Sequence, residues 1–202
     1  HAEEYSRRLA RTLGEAKARR NFAMSYTREM EDQVRYRIEL IQRMREALSR
    51  DEFTLYYQPI IESHGECREA EALIRWRSED PQFRPPGPGE FIPAAEESGL
   101  IVPLTERVVE RACGDLVGIR RDHPEFRFYI NISPRHLEST ALDQFILKKL
   151  AQYGLPSSAL GVEITETAIM SREEEVRRVL DSLKSAGLKV AIDDFGTGYS
   201  SL

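Results

Sequence analysis

From residue 53 onward, short apolar runs alternate with longer amphipathic segments, and this alternation restricts the fold more than any other feature of the chain. Short runs rich in β-branched residues predict strands, and segments with a 3.6-residue apolar period predict helices. Such alternation is typical of an α/β fold with a mainly parallel sheet, either doubly wound or closed into a TIM (β/α)8 barrel. The predicted strands are residues 54–61, 68–77, 127–132, 161–165 and 189–192, and the predicted helices are 105–121, 142–153 and 172–186.

Two further helical segments are predicted before this region, at residues 2–19 and 27–50. The second has an apolar stripe at steps of three and four residues, which indicates an amphipathic helix. The stripe consists of Val34, Ile38, Ile41, Met44 and Leu48. It fits a helix that packs on its own domain, and it fits equally well a connecting helix that also pairs between two subunits.

Charge and composition exclude several classes of protein. Residues 1–50 carry a net charge of +4 and the remaining residues carry −9. An acidic main region argues against nonspecific binding of nucleic acid, which depends on basic side chains. The two cysteines, Cys67 and Cys113, are far apart, which excludes a disulfide framework and suits a reducing cytoplasm. No apolar run approaches the roughly 18 residues of a membrane span, so any membrane attachment is expected from segments before residue 1.

The second predicted strand carries a carboxylate and a guanidinium on one face. Side chains of a strand alternate between its faces, so Glu71, Leu73 and Arg75 project to the same side. Charged groups in a buried strand need a partner or a metal ion. Taken alone, this strand leaves two explanations open, a structural ion pair between Glu71 and Arg75 or a functional site.

Three later strands also bring oxygen-bearing side chains to their carboxyl ends, where ligands bind in α/β folds. These residues are Asn131, Glu163 and Asp193, with Glu166 and Asp194 directly beyond the strands. Carboxylate and amide oxygens favour Mg²⁺ or Mn²⁺, with Ca²⁺ as an inhibitory substitute. The adjacent aspartates are suited to two metal ions, an arrangement that hydrolyses phosphate esters. The pattern therefore favours a functional site over a simple ion pair.

Several short motifs occur in a fixed order between about residue 45 and the last residue. They are Tyr57-Gln58-Pro59-Ile60, Glu71-Ala72-Leu73 with Arg75, Glu90-Phe91-Ile92-Pro93, Asn131-Ile132-Ser133-Pro134, Glu163-Ile164-Thr165-Glu166 and Asp193-Asp194-Phe195-Gly196. In this combination the chain resembles the EAL family of cyclic di-GMP phosphodiesterases.

The resemblance implies a modified TIM barrel whose first strand runs antiparallel to the rest, with about the first five strands covered by this chain. It implies hydrolysis of cyclic di-GMP to linear pGpG by a two-metal site, in a protein that forms a homodimer. The implied catalytic residues are Glu71, Glu163, Asp193 and Asp194, and the implied metal ligands are these four with Asn131. The implied substrate-binding residues are Gln58, Leu73 and Arg75, and Glu166 is expected to brace the loop at residues 193–201.

The resemblance also divides the chain into three parts. Residues 1–26 resemble the end of a GGDEF (diguanylate cyclase-like) domain, residues 27–50 are expected to be a connecting helix, and residues 51–202 to be an incomplete EAL domain. A TIM barrel takes about 250 residues, so the family's later lysine, glutamate and glutamine are expected beyond Leu202. A chain of these 202 residues alone is expected to be inactive.

The main alternative is a degenerate EAL domain, which would act as a cyclic di-GMP sensor or a dimerisation module without hydrolysis. Degenerate members of the family lose acids of the motifs. Glu71, Glu163, Asp193 and Asp194 are all present here, which favours hydrolysis.

Overall fold

The computed structural model describes residues 28–137, 142–165 and 174–193 of the chain. The chain divides into two compact units, residues 1–42 and residues 43–202. The strands are β1 (Phe53–Ile61), β2 (Cys67–Trp76), β3 (Arg127–Asn131), β4 (Leu160–Thr165) and β5 (Lys189–Asp193). The helices are α1 (Arg28–Ser49), α2 (Pro88–Ser98), α3 (Ile101–Asp122), α4 (Pro134–Leu137), α5 (Leu142–Gln152) and α6 (Glu174–Ser185).

The five strands form one sheet in the order β1-β2-β3-β4-β5. β1 pairs with β2 antiparallel, whereas β2, β3, β4 and β5 pair in parallel. Parallel neighbours need crossover connections, and helices supply them here. This order confirms the predicted fold class, a modified (β/α)8 barrel of which the first five strands are present, with the first strand reversed.

The two faces of the sheet differ in chemistry. On one face, apolar strand residues pack against α3, α5 and α6; they include Ala72, Phe128, Ile130, Val162 and Ile164, each at most 4% exposed. The residues between them project to the other face, which corresponds to the interior of a barrel. That face carries most of the charged and amide side chains of the strands, so the predicted site lies on it.

Helix α2 was not among the helices predicted from the sequence, and it begins at Pro88, in a stretch rich in proline and glycine. Proline is well suited to the first position of a helix, because the N–H that it lacks would have no partner there. The rest of α2 is stabilised by burial of Phe91, Ala94 and Ala95. The helix ends at Gly99, whose φ of 76° is the left-handed conformation that glycine adopts without steric cost.

The apolar stripe predicted for residues 27–50 is correct only in part. Met44 is fully buried, as predicted, but Ile38 is 53% exposed and Ala47, outside the predicted stripe, is buried. The stripe was assigned from residue type alone, whereas burial in the structure follows a face that is rotated away from Ile38. The assignment of this helix as a connector remains a prediction.

β1 and the turn before it are fixed to α3 by polar contacts and to β3 by an aromatic contact. Asp51 has a φ of 62° at the end of α1, and its carboxylate accepts a hydrogen bond from Arg111 Nη2 at 2.5 Å. Further along β1, the Tyr57 hydroxyl donates to Asp115 Oδ2 at 2.5 Å, and its ring stacks on Phe128. These contacts hold the reversed strand against α3 and β3.

Candidate functional site at the carboxyl ends of the strands

Strand register brings the predicted site residues together on the interior face. Five paired residues form one row across the sheet: Gln58, Glu71, Tyr129, Gly161 and Lys189. Two residues closer to the carboxyl ends, Asn131 pairs with Glu163. Four of the five strands therefore contribute to one polar patch, which we call the donor edge and define as Glu71, Asn131 and Glu163 with the backbone of Asp193.

Glu71 and Asn131 contact each other directly. Asn131 Nδ2 donates to Glu71 Oε1 at 2.6 Å. Glu71 and Arg75 make no ion pair within the part of the chain that the structure describes, because Arg75 Nη1 instead donates to the Ile74 carbonyl at 2.8 Å. The structural ion pair that the sequence left open is therefore not formed, and Glu71 is committed to the donor edge.

A cavity of about 300 Å³ opens beside the donor edge. Leu73, Arg75, Asn131 and Glu163 line it on the strand side. Its other wall is formed by α2 and α3, through residues that include Pro88, Ile92, Glu96, Ile101 and Leu104. The cavity thus combines an apolar wall with a polar rim, which is the usual composition of a small-molecule site.

The α2 wall of the cavity is tied to the end of β3. Ser133 Oγ donates to Glu96 Oε1 at 2.7 Å, and Arg135 Nη1 donates to the Glu96 carbonyl at 2.8 Å. Ser133 follows Asn131 by two residues, so the same strand end holds both a donor-edge residue and α2. Glu96 could not be predicted as a site residue, because nothing in the spacing of the sequence relates α2 to β3.

Not every predicted site residue can be placed. Gln58 lies opposite Glu71 in the antiparallel pair, outside the residues that line the cavity. Asp193 pairs with Thr165 through the backbone at the end of β5. Glu166 and Asp194 lie outside the described residues, so their predicted roles remain predictions.

The side chains of the donor edge are of a type that binds divalent metal ions. Two carboxylates and one amide from adjacent strands are hard oxygen donors of the type that Mg²⁺ and Mn²⁺ prefer. Over the described ranges, however, no three Asp, Glu, His or Cys side chains are grouped so as to hold a metal ion. Glu71, Asn131 and Glu163 fit the ion chemically, and the predicted ligand set adds Asp193 and Asp194 to them.

The interior face carries a second group of charges that the sequence analysis missed. Glu69 Oε1 accepts from Arg127 Nη1 at 2.5 Å and from Lys189 Nζ at 3.1 Å. Glu69 precedes Glu71 by two residues, so strand alternation would have placed both on one face. The partners of Glu69 depend on register between three strands, which the sequence does not reveal.

Two buried ionisable groups lie away from the donor edge. His136, on α4, is 2% exposed, and burial lowers its pKa to about 4. Cys113, on α3, is fully buried, and burial raises the pKa of its thiol to about 12. Each is therefore held neutral near pH 7 by its surroundings. Among the residues that the structure describes, no helix has the length and apolar character that a membrane span requires.

Comparison with known proteins extends this description. An uncharacterized signaling protein of Caulobacter vibrioides is 38% identical over 178 residues, covering 88% of this chain and 21% of that protein. The cyclic di-GMP phosphodiesterase NbdA of Pseudomonas aeruginosa is 35% identical over 203 residues, covering 99% of this chain and 26% of NbdA. The chain therefore spans about a quarter of the length of these curated relatives.

A solved structure shows the same arrangement of elements. The PaMucR phosphodiesterase, in complex with c-di-GMP, superposes with a TM-score of 0.73 at 34% identity, covering 81% of this chain and 66% of that one. MucR is a protein of Pseudomonas aeruginosa. The EAL domain family matches residues 41–202. Because this match covers most of the sequence and includes every residue of the donor edge, the chain belongs to the EAL domain family.

Proposed function

We propose that this EAL domain hydrolyses a phosphodiester bond of cyclic di-GMP to give linear pGpG, with Mg²⁺ or Mn²⁺ bound at the donor edge. The observation that carries the proposal is the hydrogen bond between Asn131 and Glu71, with Glu163 paired to Asn131 beside the cavity. The similarity to NbdA, a cyclic di-GMP phosphodiesterase, and to PaMucR bound to c-di-GMP supports the choice of substrate.

The donor edge would hold the metal through Glu71, Asn131, Glu163 and Asp193, and Asp194 would reach a second ion. A divalent ion bound there would lower the pKa of a water molecule and neutralise charge on a phosphoryl oxygen. The residues of the chain contribute by holding anionic oxygens in place before the substrate arrives. The bond from Asn131 Nδ2 fixes the position of the Glu71 carboxylate at the edge of the sheet. Ca²⁺ is proposed to inhibit, because it accepts longer and less regular coordination than Mg²⁺.

The cavity would hold the substrate through Arg75, Leu73 and Gln58. Arginine has several N–H donors in a planar fork that suits phosphate, and the Ile74 carbonyl takes one donor of Arg75. Leu73 lines the cavity with an apolar side chain, which would contact a base or sugar. Gln58 lies beside Glu71 in register and would contribute an amide at the edge of the site.

Other parts of the proposal concern the arrangement of the protein. Residues 1–26 would be the end of a GGDEF-like domain, residues 27–50 a connecting helix and residues 51–202 the EAL domain. Glu166 would brace the loop at residues 193–201, and the protein would act as a cytoplasmic homodimer. We also propose that a closed barrel is needed for activity, so that residues 1–202, in which the structure describes five strands, bind and cleave poorly by themselves.

The experiment is hydrolysis of cyclic di-GMP by the full product of the gene and by residues 1–202, with chromatographic separation of the nucleotides. We expect pGpG with Mg²⁺ or Mn²⁺, little with Ca²⁺, and a loss of at least about 100-fold in Glu71→Gln. Glu79→Gln, at an exposed position after β2, is the matched control and should cleave normally. Intact nucleotide despite measurable binding would support the sensor function, and absence of binding would contradict both.

A further inference from the structure

Tyr129 lies on the interior face of the sheet, next to the donor edge. It shares a row with Glu71 and precedes Asn131 by two residues on the same face of β3. Only 6% of its surface is exposed. Its ring lies over Gly161, where a Cβ would come within 2.6 Å of the ring carbons Cδ1 and Cε1. Since real side chains do not approach this closely, the position of the ring requires glycine at residue 161.

The hydroxyl end of Tyr129 points to the charged group below. Tyr129 Oη lies 3.4 Å from Glu69 Oε1, the atom that also accepts from Arg127 and Lys189. Glu69 pairs with Arg127 one row closer to the amino ends of the parallel strands. The ring of Tyr129 is therefore situated between Asn131 and Glu163 at the carboxyl ends and the Glu69 carboxylate, which two basic side chains contact.

We propose that Tyr129 is a positioning residue that forms the floor of the metal site. The inference rests on the proposed function, because it assumes that the donor edge binds a divalent cation. The ring fills space on the interior face of the sheet. It therefore limits how far the side chains of Glu71, Asn131 and Glu163 can move along that face, away from the carboxyl ends of the strands. It also keeps Lys189 and Arg127 on the side of Glu69, away from the oxygens that would hold the cation.

A methyl group at residue 161 tests this arrangement most simply. The ring would have to move, and its hydroxyl end already meets Glu69, which Arg127 and Lys189 contact from their own strands. The ring would therefore shift toward the carboxyl ends and disturb the donor edge. If the ring is first removed, the same methyl group meets no ring and should have little effect. The two substitutions should thus be strongly non-additive.

The experiment measures Mn²⁺ and Ca²⁺ affinities by calorimetry for the full product of the gene, as the wild type, as Gly161→Ala, as Tyr129→Ala and as the double variant. We expect Gly161→Ala and Tyr129→Ala each to weaken Mn²⁺ binding about tenfold or more, in the range typical of residues that orient metal ligands. Adding Gly161→Ala to Tyr129→Ala should change the affinity by less than about twofold. Gly118→Ala, where a Cβ meets nothing within 4 Å, is the matched control and should bind as the wild type does.

A change in metal preference separates positioning from general loss of stability. Mn²⁺ and Mg²⁺ need near-octahedral ligands at short distances, whereas Ca²⁺ tolerates irregular coordination. Removal of the Tyr129 ring should therefore lower the ratio of Mn²⁺ affinity to Ca²⁺ affinity, whereas partial unfolding would lower the two affinities by the same factor. Tyr129→Phe keeps the ring and should retain Mn²⁺ affinity within about threefold.

The outcomes are distinguishable. If Gly161→Ala does not fold, Tyr129→Ala and Tyr129→Phe still test the floor. Folded Tyr129→Ala that binds Mn²⁺ with the affinity and preference of the wild type would overturn the role of Tyr129 while leaving the metal site intact. Failure of the wild type to bind Mn²⁺ would refute the proposed function itself.

Discussion

Asn131 Nδ2 lies 2.6 Å from Glu71 Oε1, although sixty residues separate the two along the chain. The contact arises because β2 and β3 are parallel neighbours with Ala72 opposite Ile130. The Asn131 amide thus restrains the Glu71 carboxylate at the edge of the cavity, where a carboxylate without this hydrogen bond would be more mobile. The bond joins two protein groups, so it orients the Glu71 carboxylate before a cation binds.

Removal of the Asn131 amide should weaken metal binding without unfolding the domain. Asn131→Ala deletes one proposed ligand and the hydrogen bond that orients Glu71, so we expect Mn²⁺ affinity to fall by about 10- to 100-fold. Calorimetric titration with Mn²⁺ measures it directly. Gln152→Ala, which truncates an exposed amide at the end of α5, should not alter the affinity. Unchanged binding by Asn131→Ala would show that the amide is not part of the site.

The left-handed turn at Asp51 should make alanine there more harmful than glycine. Asp51 has a φ of 62° and binds Arg111 Nη2 at 2.5 Å, with Arg107 Nε at 3.6 Å. Both substitutions lose these ion pairs, which are worth no more than about 1 kcal/mol at an exposed site. Only alanine keeps the steric cost of the backbone conformation. Asp51→Ala should therefore be less stable than Asp51→Gly by about 1 kcal/mol in urea unfolding, and equal stabilities would contradict the argument.

Stability should decrease as the pH falls, and His136 should account for part of the decrease. Burial lowers its pKa to about 4 from an ordinary value of 6.5. Between these values the unfolded chain binds a proton that the folded protein does not, so the free energy of unfolding declines as the pH drops from 6.5 toward 4. The loss should be at most about 3 kcal/mol.

The measurement is urea unfolding at several pH values for the wild type and His136→Gln. The glutamine variant cannot titrate, so its stability should vary less over the same range, whatever its stability at neutral pH. Identical pH dependences for the two proteins would show that His136 is not held neutral.

The two cysteines should differ in reactivity. Cys67 is exposed at the start of β2, whereas Cys113 is fully buried and burial raises the pKa of its thiol to about 12. Alkylation requires the thiolate and access to the reagent. Iodoacetamide at pH 8 should therefore modify Cys67 alone in the folded protein and both residues in urea. Mass spectrometry of tryptic peptides distinguishes these cases, and rapid labelling of Cys113 in the folded protein would contradict its burial.

The sequence predicted the strands well, because each strand is a short apolar run whose alternate residues carry the polar groups. Glu71, Asn131 and Glu163 could be assigned to one edge, since carboxyl ends of parallel strands coincide. Helix α2 could not be predicted, because Pro88, Gly89 and Pro93 make its sequence look irregular. Its helicity depends on burial of Phe91 against the rest of the domain, including Phe53 and Trp76.

The floor of the site shows a second limit of sequence reasoning. Neither Tyr129 nor Gly161 stands out in the sequence by itself. The close packing of the Tyr129 ring on Gly161 depends on the pairing of β3 with β4. The same holds for Glu69, whose partners come from β3 and β5. Motif residues can be identified along one strand, but the side chains that support them are set by register between strands.

The central claim is that the donor edge binds a divalent cation, and anomalous diffraction from a crystal soaked in Mn²⁺ tests it most directly. We predict a peak within about 2.2 Å of oxygens from Glu71, Asn131 and Glu163. A crystal that shows no peak there, or shows Mn²⁺ only at other carboxylates, would contradict the assignment.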